Sequence, residues 1–149
     1  MSQDVILVAG TVVEMETTTG TWQRVPRLTS IGAVGEQAEA KEKTTLEDQI
    51  KKYGSGLRDA PGKTLKGQYI PKQETGDAYF DDYESQQEFI TRCRNEEEFQ
   101  VRIVWSDGEA NAFLFKALGF EYDDSTQEDW KMFTVTGKQN SRVDWDHTV

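Results

Sequence analysis

Alternating hydrophobic and polar positions predict a β-hairpin in the second half of the chain. Within residues 99–105 the odd positions are large and apolar, while positions 100 and 102 are polar. Such alternation is typical of a strand that buries one face. Asp107 and Gly108 form the Asp-Gly pair that favours a tight hairpin turn. The return strand is predicted from Ala112 to Tyr122.

A helical pattern precedes this hairpin and predicts a helix over residues 78–94. Asp77 is the predicted N-cap, and Asp81 lies early in the helix while Arg94 lies late, as the helix dipole favours. One stripe is predicted to face the core; it comprises Tyr79, Tyr83, Gln86, Ile90 and Cys93, widened by Phe80 and Phe89.

The remaining segments are assigned from shorter patterns. Residues 1–20 are predicted to be an N-terminal arm, and residues 21–33 a strand interrupted at Pro26. A short strand is expected at residues 68–70. After an acidic loop, a last strand is expected at residues 130–136.

A long polar, glycine-rich loop is predicted over about residues 35–67. Leu46, Ile50, Tyr53 and Leu57 are spaced by four, three and four residues, which could make one short helix when the loop is docked. Ordinary connections are about 4–6 residues long, so a loop of this length is usually functional or disordered.

Together these elements predict a mainly β (α+β) fold: a β-sandwich or barrel of about six or seven strands with one packed α-helix. The domain should span residues 21–149 after the arm of residues 1–20. The candidate core residues are Tyr83, Ile90, Val101, Ile103, Trp105, Phe113 and Phe115.

The composition indicates that the chain has few hydrophobic residues for building a core. Hydrophobic residues make up 36% of the chain, which is low for a globular domain, so either part of the chain is disordered in isolation or partners supply some burial. Cys93 is the single cysteine and cannot form an internal disulfide. No signal-peptide pattern or membrane-length apolar run is present. We therefore expect a soluble protein without membrane insertion, made in a reducing cytoplasm.

The charge distribution argues against a grip on nucleic acid and suggests self-association. The formal net charge is −10, whereas DNA-gripping proteins carry basic faces. Residues 41–72 carry eight basic and four acidic side chains, and residues 73–129 carry four basic and sixteen acidic ones. These are either solvated loops of varied composition or a basic extension that docks on the acidic body of a neighbouring copy.

No constellation predicts catalysis, a cofactor site or a metal site. The segment from Gly56 to Thr64 has five residues where a phosphate-binding loop needs four, and it contains a proline. His147 is the single histidine, so zinc ligands and a base for a nucleophile are lacking. The acidic loop of residues 123–129 lacks the ligand pattern of a calcium-binding loop. These patterns indicate that the chain is not an enzyme.

The order of elements resembles the N-terminal domain of tail tube proteins of long-tailed phages (siphophages), and more distantly the inner-tube protein of type VI secretion. The resemblance is carried by Thr45-Leu46-Glu47-Asp48 in the long loop, the helix at 78–94, the strand at 99–105 with its Asp-Gly turn, the return strand at 112–122 and the last strand at 130–136.

The resemblance implies a structural virion subunit that forms hexameric rings, and rings that stack into a hollow tube for DNA ejection. The long loop and the chain ends would order only against the neighbouring ring. Candidate inter-ring docking residues in that loop are Leu46, Glu47, Asp48, Ile50, Lys51, Lys52, Tyr53 and Arg58.

The resemblance also implies partners and a location. The partners would be further copies of the chain, a tape measure protein, a tail tip or initiator protein and a tail terminator. Assembly would take place in the host bacterial cytoplasm, and the product would be part of the phage tail. Genomic DNA would pass a net acidic lumen without specific binding. The alternatives are a tail terminator or other tube-like component, or an acidic binding domain that mimics DNA.

Overall fold

A computed structural model describes residues 9–60, 62–124, 126 and 129–148; of Gly56 and Arg58 it describes the backbone only. It contains nine strands and one helix within those ranges. In chain order these are β1 (Val12–Thr18), β2 (Thr21–Arg24), β3 (Leu28–Ser30), β4 (Gln37–Glu42), β5 (Tyr53–Asp59), β6 (Lys63–Gln68), α1 (Phe80–Arg94), β7 (Glu98–Val104), β8 (Ala110–Tyr122) and β9 (Met132–Gln139).

Seven strands form one antiparallel sheet in the order β2-β1-β7-β8-β9-β6-β3, and β4 and β5 form a separate pair. Strand β8 is long enough to serve two neighbours: its first half pairs with β7 and its second half with β9. Across the described residues the sheet keeps two free ends, β2 and β3, and does not close into a barrel. The predicted mainly β (α+β) class with one helix is confirmed.

The core lies between the sheet and α1. Phe89 on the helix is fully buried, and its ring centroid lies 6.2 Å from that of Phe99 and 6.5 Å from that of Phe133. Phe99 in turn meets Phe115 edge to face at 5.7 Å. Aromatic pairs in these geometries add stabilisation beyond the area they bury, so this cluster fixes the helix on the sheet.

The candidate core residues divide into two groups. Tyr83 and Trp105 are only partly buried, and the Trp105 indole N–H donates to Asn111 Oδ1 at 2.6 Å. A buried indole N–H needs a hydrogen-bond partner. Because that partner is Asn111, the Trp105 ring lies at the edge of the core. The other five, at 3% exposure or less, are Ile90, Val101, Ile103, Phe113 and Phe115.

The start of α1 differs from the prediction. Asp77 is not the N-cap, because its carboxylate accepts the backbone N–H of Glu74 at 2.7 Å in the preceding turn. The N-cap is Tyr79, which makes no side-chain cap bond, and the helix begins at Phe80. Tyr79 is consequently exposed and not part of the core face.

Gln86, by contrast, is buried on the core face of α1. Its side-chain carbonyl accepts the N–H of Ile70 at 2.7 Å, and its amide donates to the carbonyl of Gln68 at 2.7 Å. A buried amide must be hydrogen-bonded. This side chain therefore ties the helix to the backbone that leaves β6.

The prediction of an N-terminal arm over residues 1–20 is wrong for residues 12–18, which belong to the main sheet. Val12–Thr18 forms β1, which lies inside the sheet between β2 and β7. Val13 and Met15 are buried in the core. The alternation of Val13 and Met15 with Glu14 and Glu16 was the signal for this strand. Residues 1–8 lie outside the described part of the chain.

Several predicted strand bounds also shift. Pro26 does interrupt residues 21–33, and the two pieces become β2 and β3 at opposite ends of the sheet. The strand expected at 68–70 is β6, which runs earlier and ends at Gln68. The last strand is β9, which begins at Met132, after Trp130, and continues to Gln139.

Candidate assembly surfaces

The predicted docking loop contains a β-hairpin, so the short helix predicted through Leu46, Ile50, Tyr53 and Leu57 is wrong in this structure. Strands β4 and β5 pair antiparallel, from Gln37 opposite Asp59 to Glu42 opposite Tyr53. The apolar spacing competes with Gly54 and Gly56, and a glycine inside a helix costs about 1 kcal/mol relative to alanine. The spacing was too weak a signal against that cost.

The hairpin tip, residues 43–52, is organised by its own polar groups. The carboxylate of Asp48 accepts the backbone N–H of Thr45 at 2.8 Å and lies 2.9 Å from the Lys52 ammonium. The Thr45 hydrogen bond, followed by Lys52, lowers the pKa of Asp48. The Lys52 N–H donates to Thr44 Oγ1 at 2.9 Å. The tip therefore has a defined shape without contact from another chain.

The structure brings the candidate docking residues together on this one element. Leu46, Glu47, Asp48, Ile50, Lys51 and Lys52 lie in the tip, and Tyr53 and Arg58 lie in β5; the side chain of Arg58 is outside the described part. Exposure of the apolar members is high: 107% for Leu46, 78% for Ile50 and 57% for Tyr53.

Exposed apolar side chains at the end of a projecting element are costly to leave in water. Every residue of β4 is exposed, and within the described chain β4 and β5 pair only with each other. An isolated two-stranded hairpin is marginally stable in water. The exposure of Leu46 and Ile50 is therefore typical of side chains that become buried when a partner binds.

The free ends of the main sheet offer a second kind of contact. Within the described part of the chain, strands β2 and β3 each have a hydrogen-bonded neighbour on one side only. An unpaired strand edge is a template for pairing with another chain. The edges are short, four residues in β2 and three in β3, so they limit unspecific pairing.

A buried ion pair lies on the sheet face opposite the core, and the sequence patterns did not reveal it. Arg102 donates to Glu14 at 2.8 Å, with its side chain 7% exposed. The guanidinium lies 4.4 Å from the Trp22 ring centroid, and one of its nitrogens is 3.4 Å from His147 Nε2. The C-terminal segment thus covers this face. The available signal was that Glu14 and Arg102 occupy the polar positions of two strands.

Lys63 is a second feature that was not predicted. It belongs to β6, is 1% exposed, and its ammonium has no hydrogen-bond partner in the described chain. The nitrogen lies 5.1 Å from the ring centroid of Phe113. Burial lowers the pKa of Lys63 to about 8. In the sequence, Lys63 was part of the segment compared with a phosphate-binding loop. In the structure it begins strand β6, and its side chain is buried. Pro61, in the same segment, lies outside the described residues.

Other candidate chemistry has ordinary structural explanations. Cys93 is buried, and burial raises the pKa of its thiol to about 12, which keeps it unreactive. Among the described residues no group of side chains could hold a metal ion. In the acidic loop, Asp129 accepts the Thr126 N–H at 2.8 Å; Ser125, Gln127 and Glu128 lie outside the described part. The described chain has no helix long and apolar enough to cross a membrane.

Solved structures share this fold over nearly the whole chain. The tail of an empty gene transfer agent particle, determined with C6 symmetry, matches with a TM-score of 0.62 at 15% identity, covering 91% of this chain and 95% of that one. The sheath/tube terminator of the PVC extracellular contractile injection system gives 0.65 at 14%, covering 96% and 97%. The SPP1 tail tube gives 0.58 at 13%, covering 95% and 81%.

Sequence comparison adds nothing to this fold match. No protein-family model matches the chain. No curated protein matches it either. The chain therefore has the fold of phage tail tubes and of the tubes of contractile injection systems, and this fold is the one the sequence resemblance implied.

Proposed function

We propose that this chain is the repeating structural subunit of the tail tube of a long-tailed phage. Copies associate as hexameric rings, and the rings stack into a hollow conduit for DNA ejection into the host. The observation that carries the proposal is the fold match to tail and tube structures over 91–96% of the chain. No catalytic step is assigned to any residue.

The position of the hairpin supports ring stacking. The tip carries exposed Leu46 and Ile50 together with Lys51 and Lys52. Such a tip can place apolar side chains on a neighbouring ring while its lysines meet acidic side chains there. Contact between unlike surfaces of identical copies generates rings or open filaments.

The acidic balance supports a conduit that does not retain its cargo. Duplex DNA carries one negative charge per about 1.7 Å of its axis. A wall that neutralised phosphates would hold the DNA, whereas a net negative wall lets it slide. We place a net acidic surface on the lumen side of the assembled tube, in keeping with the net charge of −10.

The proposed role brings further partners and a location. A tape measure protein would lie in the lumen during assembly, a tail tip or initiator protein would begin the stack, and a terminator would end it. Assembly takes place in the bacterial cytoplasm, and the product is part of the virion. Negative-stain electron microscopy of the concentrated protein tests the main proposal, because long hollow polymers are expected.

A second candidate is a tail terminator, and one observation favours it. A chain in the structure of the PVC sheath/tube terminator shares the fold with a TM-score of 0.65, so the fold alone does not distinguish a place along the tube from a place at its end. Isolated rings that never lengthen, under conditions of high protein concentration, would assign the chain to the end of a tube. Persistent monomers under all salt and crowding conditions would contradict both roles.

We further propose that the hairpin opens transiently in the single chain, and that this opening delays polymerisation until contact with an initiator stabilises the paired form. Among the described residues, the two strands of the hairpin between residues 37 and 59 pair only with each other. Amide exchange of the monomer should be fast over residues 36–60, slow in β7 and β8, and slow in both regions after assembly. Full protection of the hairpin in the monomer would exclude the delay.

A further inference from the structure

An exposed aromatic groove lies at the end of the body where β6 stops and β9 begins. It is lined by Tyr69, Ile70 and Pro71, and by Tyr79 and Trp130, which are 54% and 82% exposed. Its volume is about 510 Å³, which is typical of pockets that bind a ligand or a partner side chain. A tryptophan left this exposed beside apolar neighbours is typical of an interaction surface.

The charged side chains in the described lining of this aromatic groove are both cations, Arg27 and Lys131. The Arg27 guanidinium carbon lies 5.5 Å from the ring centroid of Tyr79, and the Lys131 ammonium lies 4.2 Å from that of Tyr69. Neither cation forms an ion pair with a carboxylate of the described residues, although the chain has a net charge of −10. The groove is therefore suited to an acidic partner with an apolar side chain.

The backbone holds Arg27 beside the groove in an unusual conformation. Its φ of 64° lies in the left-handed region, which is uncommon for residues other than glycine. The Arg27 carbonyl accepts the N–H of Gln68 at 2.9 Å, so this turn is tied to the end of β6. Backbone conformations of this kind are concentrated at functional sites, and the position of Arg27 is therefore a second indication that the groove binds a partner.

An element of complementary chemistry lies in the C-terminal part of the chain. Trp145 is 46% exposed and stands between Asp144 and Asp146, which are also exposed. The backbone of Asp144 pairs with Ala112 of β8, and the Trp145 carbonyl accepts the side-chain amide of Asn111 at 3.1 Å. These bonds fix the acidic segment, residues 144–146, with its aromatic ring and its two carboxylates at the surface.

The aromatic groove and the acidic segment lie at opposite ends of β8. Lys131 packs on Tyr122, the last residue of β8, whereas Asp144 pairs with Ala112 near the beginning of that strand. Ala112 and Tyr122 are ten positions apart, which corresponds to about 33 Å at about 3.3 Å per residue. The two surfaces therefore cannot meet within one copy of the chain.

From this placement we propose that the aromatic groove receives the acidic segment, residues 144–146, of a second copy of this chain. Trp145 of that copy packs against the exposed Trp130. The carboxylates on either side of Trp145 approach the two cations of the groove. Tryptophans that become buried often dominate the affinity of an interface, and complementary charge gives it specificity.

The proposed contact joins unlike surfaces of identical copies. Such a contact is heterologous, so each added copy can use it again and an open assembly can grow. The contact does not involve the β4–β5 hairpin. This inference rests on the proposed function, because it requires copies to associate, and it adds to that function a second pair of contact surfaces.

The test is an exchange of charge between the two surfaces in the full-length chain. Asp146 is suited to it because Asp146 forms no ion pair among the described residues, whereas Asp144 lies 3.3 Å from His147. Lys131→Glu and Asp146→Lys should each reduce the polymer yield at low salt by about tenfold or more, because like charges then oppose each other across the contact. The double variant Lys131→Glu/Asp146→Lys should restore the yield. Sedimentation measures all three.

The matched control for the double variant is Lys66→Glu/Asp146→Lys. Lys66 is exposed in β6 and does not line the groove, so this pair has the same net charge as the double variant without the complementary groove. Its polymer yield should stay as low as that of Asp146→Lys alone.

Three outcomes separate this inference from the proposed function. Wild-type tubes, with recovery in Lys131→Glu/Asp146→Lys and not in the Lys66 control, support the contact. Wild-type tubes without that recovery, or with equal recovery in the control, overturn the contact and leave the proposed function in place. Absence of any wild-type polymer overturns both.

A truncation of the groove tests the apolar part of the contact. Trp130→Ala should leave the melting temperature unchanged because the side chain is exposed, and it should reduce the polymer yield about tenfold or more. Leu118→Ala, at a position that is 52% exposed, is the control and should polymerise normally. Normal tube yield from Trp130→Ala would leave the groove to a different acidic partner and overturn the inference.

Discussion

The seven-stranded body and the β4–β5 hairpin are both antiparallel β-structure, but different forces hold them together. In the body, β1, β7, β8 and β9 each have hydrogen-bonded neighbours on both sides and bury alternate side chains against α1. In the hairpin, each strand has one neighbour among the residues that the structure describes, and all of β4 is exposed. The body can therefore fold alone, whereas the hairpin is suited to gain its burial from another copy.

The proposed function requires one chain to be both a stable domain and a polymer subunit, and this contrast is consistent with that requirement. Burial contributes about 25 cal/mol for each Å² of apolar surface removed from water. The body obtains that stabilisation within the chain, through residues such as Phe89, Phe115 and Phe133, which have no exposed surface. Leu46 and Ile50 are exposed in the single chain, so in the proposed assembly folding and association would depend on separate residues.

The largest expected effect on the free energy of unfolding comes from loss of packing in the seven-stranded body, and it tests whether stability depends on the body more than on the hairpin. Phe115→Ala and Ile103→Ala remove side chains that are 0% and 1% exposed. Each should lower the free energy of unfolding by about 2–5 kcal/mol, through lost burial and the cavity left behind. Chemical denaturation measures this. Leu57→Ala, in the exposed hairpin strand, is the control and should leave stability unchanged; equal losses from all three variants would remove the distinction.

The next effect is a pH dependence specific to the body. Burial lowers the pKa of Lys63 from 10.5 to about 8, so between these values the unfolded chain binds the proton and the folded chain does not. Stability contributed by this group therefore rises with pH across that window and is lowest below pH 8. The span corresponds to about 3 kcal/mol at 1.36 kcal/mol per pH unit.

Lys63→Met isolates this contribution. It should raise the free energy of unfolding at pH 7 and remove the rise above pH 8. The buried Cys93 thiol, with a pKa raised to about 12, acts in the opposite direction above pH 9, but it is common to both proteins and cancels in their difference. Lys66→Met, at an exposed position of the same strand, is the control. A constant difference between the wild type and Lys63→Met from pH 7 to 10.5 would contradict the prediction.

A third effect on stability comes from replacing a glycine in the seven-stranded body or in the β4–β5 hairpin. A Cβ atom at Gly137 in β9 would lie 2.4 Å from the Lys116 carbonyl oxygen and 2.7 Å from the Phe115 ring, whereas at Gly54 in β5 it would meet only the Lys43 side chain, at 3.6 Å. Gly137→Ala should therefore lower the free energy of unfolding by about 1–3 kcal/mol, as overpacking does. Gly54→Ala should be tolerated. Thermal melts of the two variants compare them directly, and a greater loss from Gly54→Ala would reverse the expected order.

The same contrast explains what could be predicted from the sequence. Strands β7 and β8 follow a period of two because their odd positions face one core, and the Asp-Gly turn between them has a sharp local signature. The helix was found for the same reason, but its start was misplaced by about two residues because Asp77 serves the preceding turn. Periodicity reports burial, and these elements are the buried ones.

The parts that could not be predicted are those where burial gives no pattern. The β4–β5 hairpin has no buried face, so its strands show no alternation, and four apolar residues suggested a helix instead. The buried Lys63 and the Arg102–Glu14 pair look like surface residues in the sequence, because only the tertiary structure places Phe113 and Trp22 over them. Tyr79 and Trp130 line one surface pocket although they lie about fifty positions apart in the sequence, and no local pattern predicts that proximity.

The smallest effect on stability, and the most specific test of the hairpin, is a reversal of its charges. Lys51 and Lys52 are exposed in the tip, and among the described residues the ion-pair partner of Lys52 is Asp48. Exposed pairs contribute about 0–1 kcal/mol, so Lys51→Glu/Lys52→Glu should melt almost as the wild type does. Its tube formation should nevertheless be impaired, because the tip then repels an acidic neighbour. Sedimentation at low and high salt measures this.

The salt dependence of that double variant distinguishes repulsion from misfolding. Salt screens exposed charges over about 10 Å at 0.1 M and over shorter distances at higher concentrations, so high salt should restore part of the polymer if charge is the cause. Lys66→Glu reverses a charge on the exposed side of β6 and should polymerise as the wild type does. If it fails as badly as the double variant, the net charge of the whole subunit governs stacking and the tip has no special part. If the double variant stacks normally at low salt, the hairpin lysines do not face an acidic surface, and the apolar residues Leu46 and Ile50 alone would have to account for its docking.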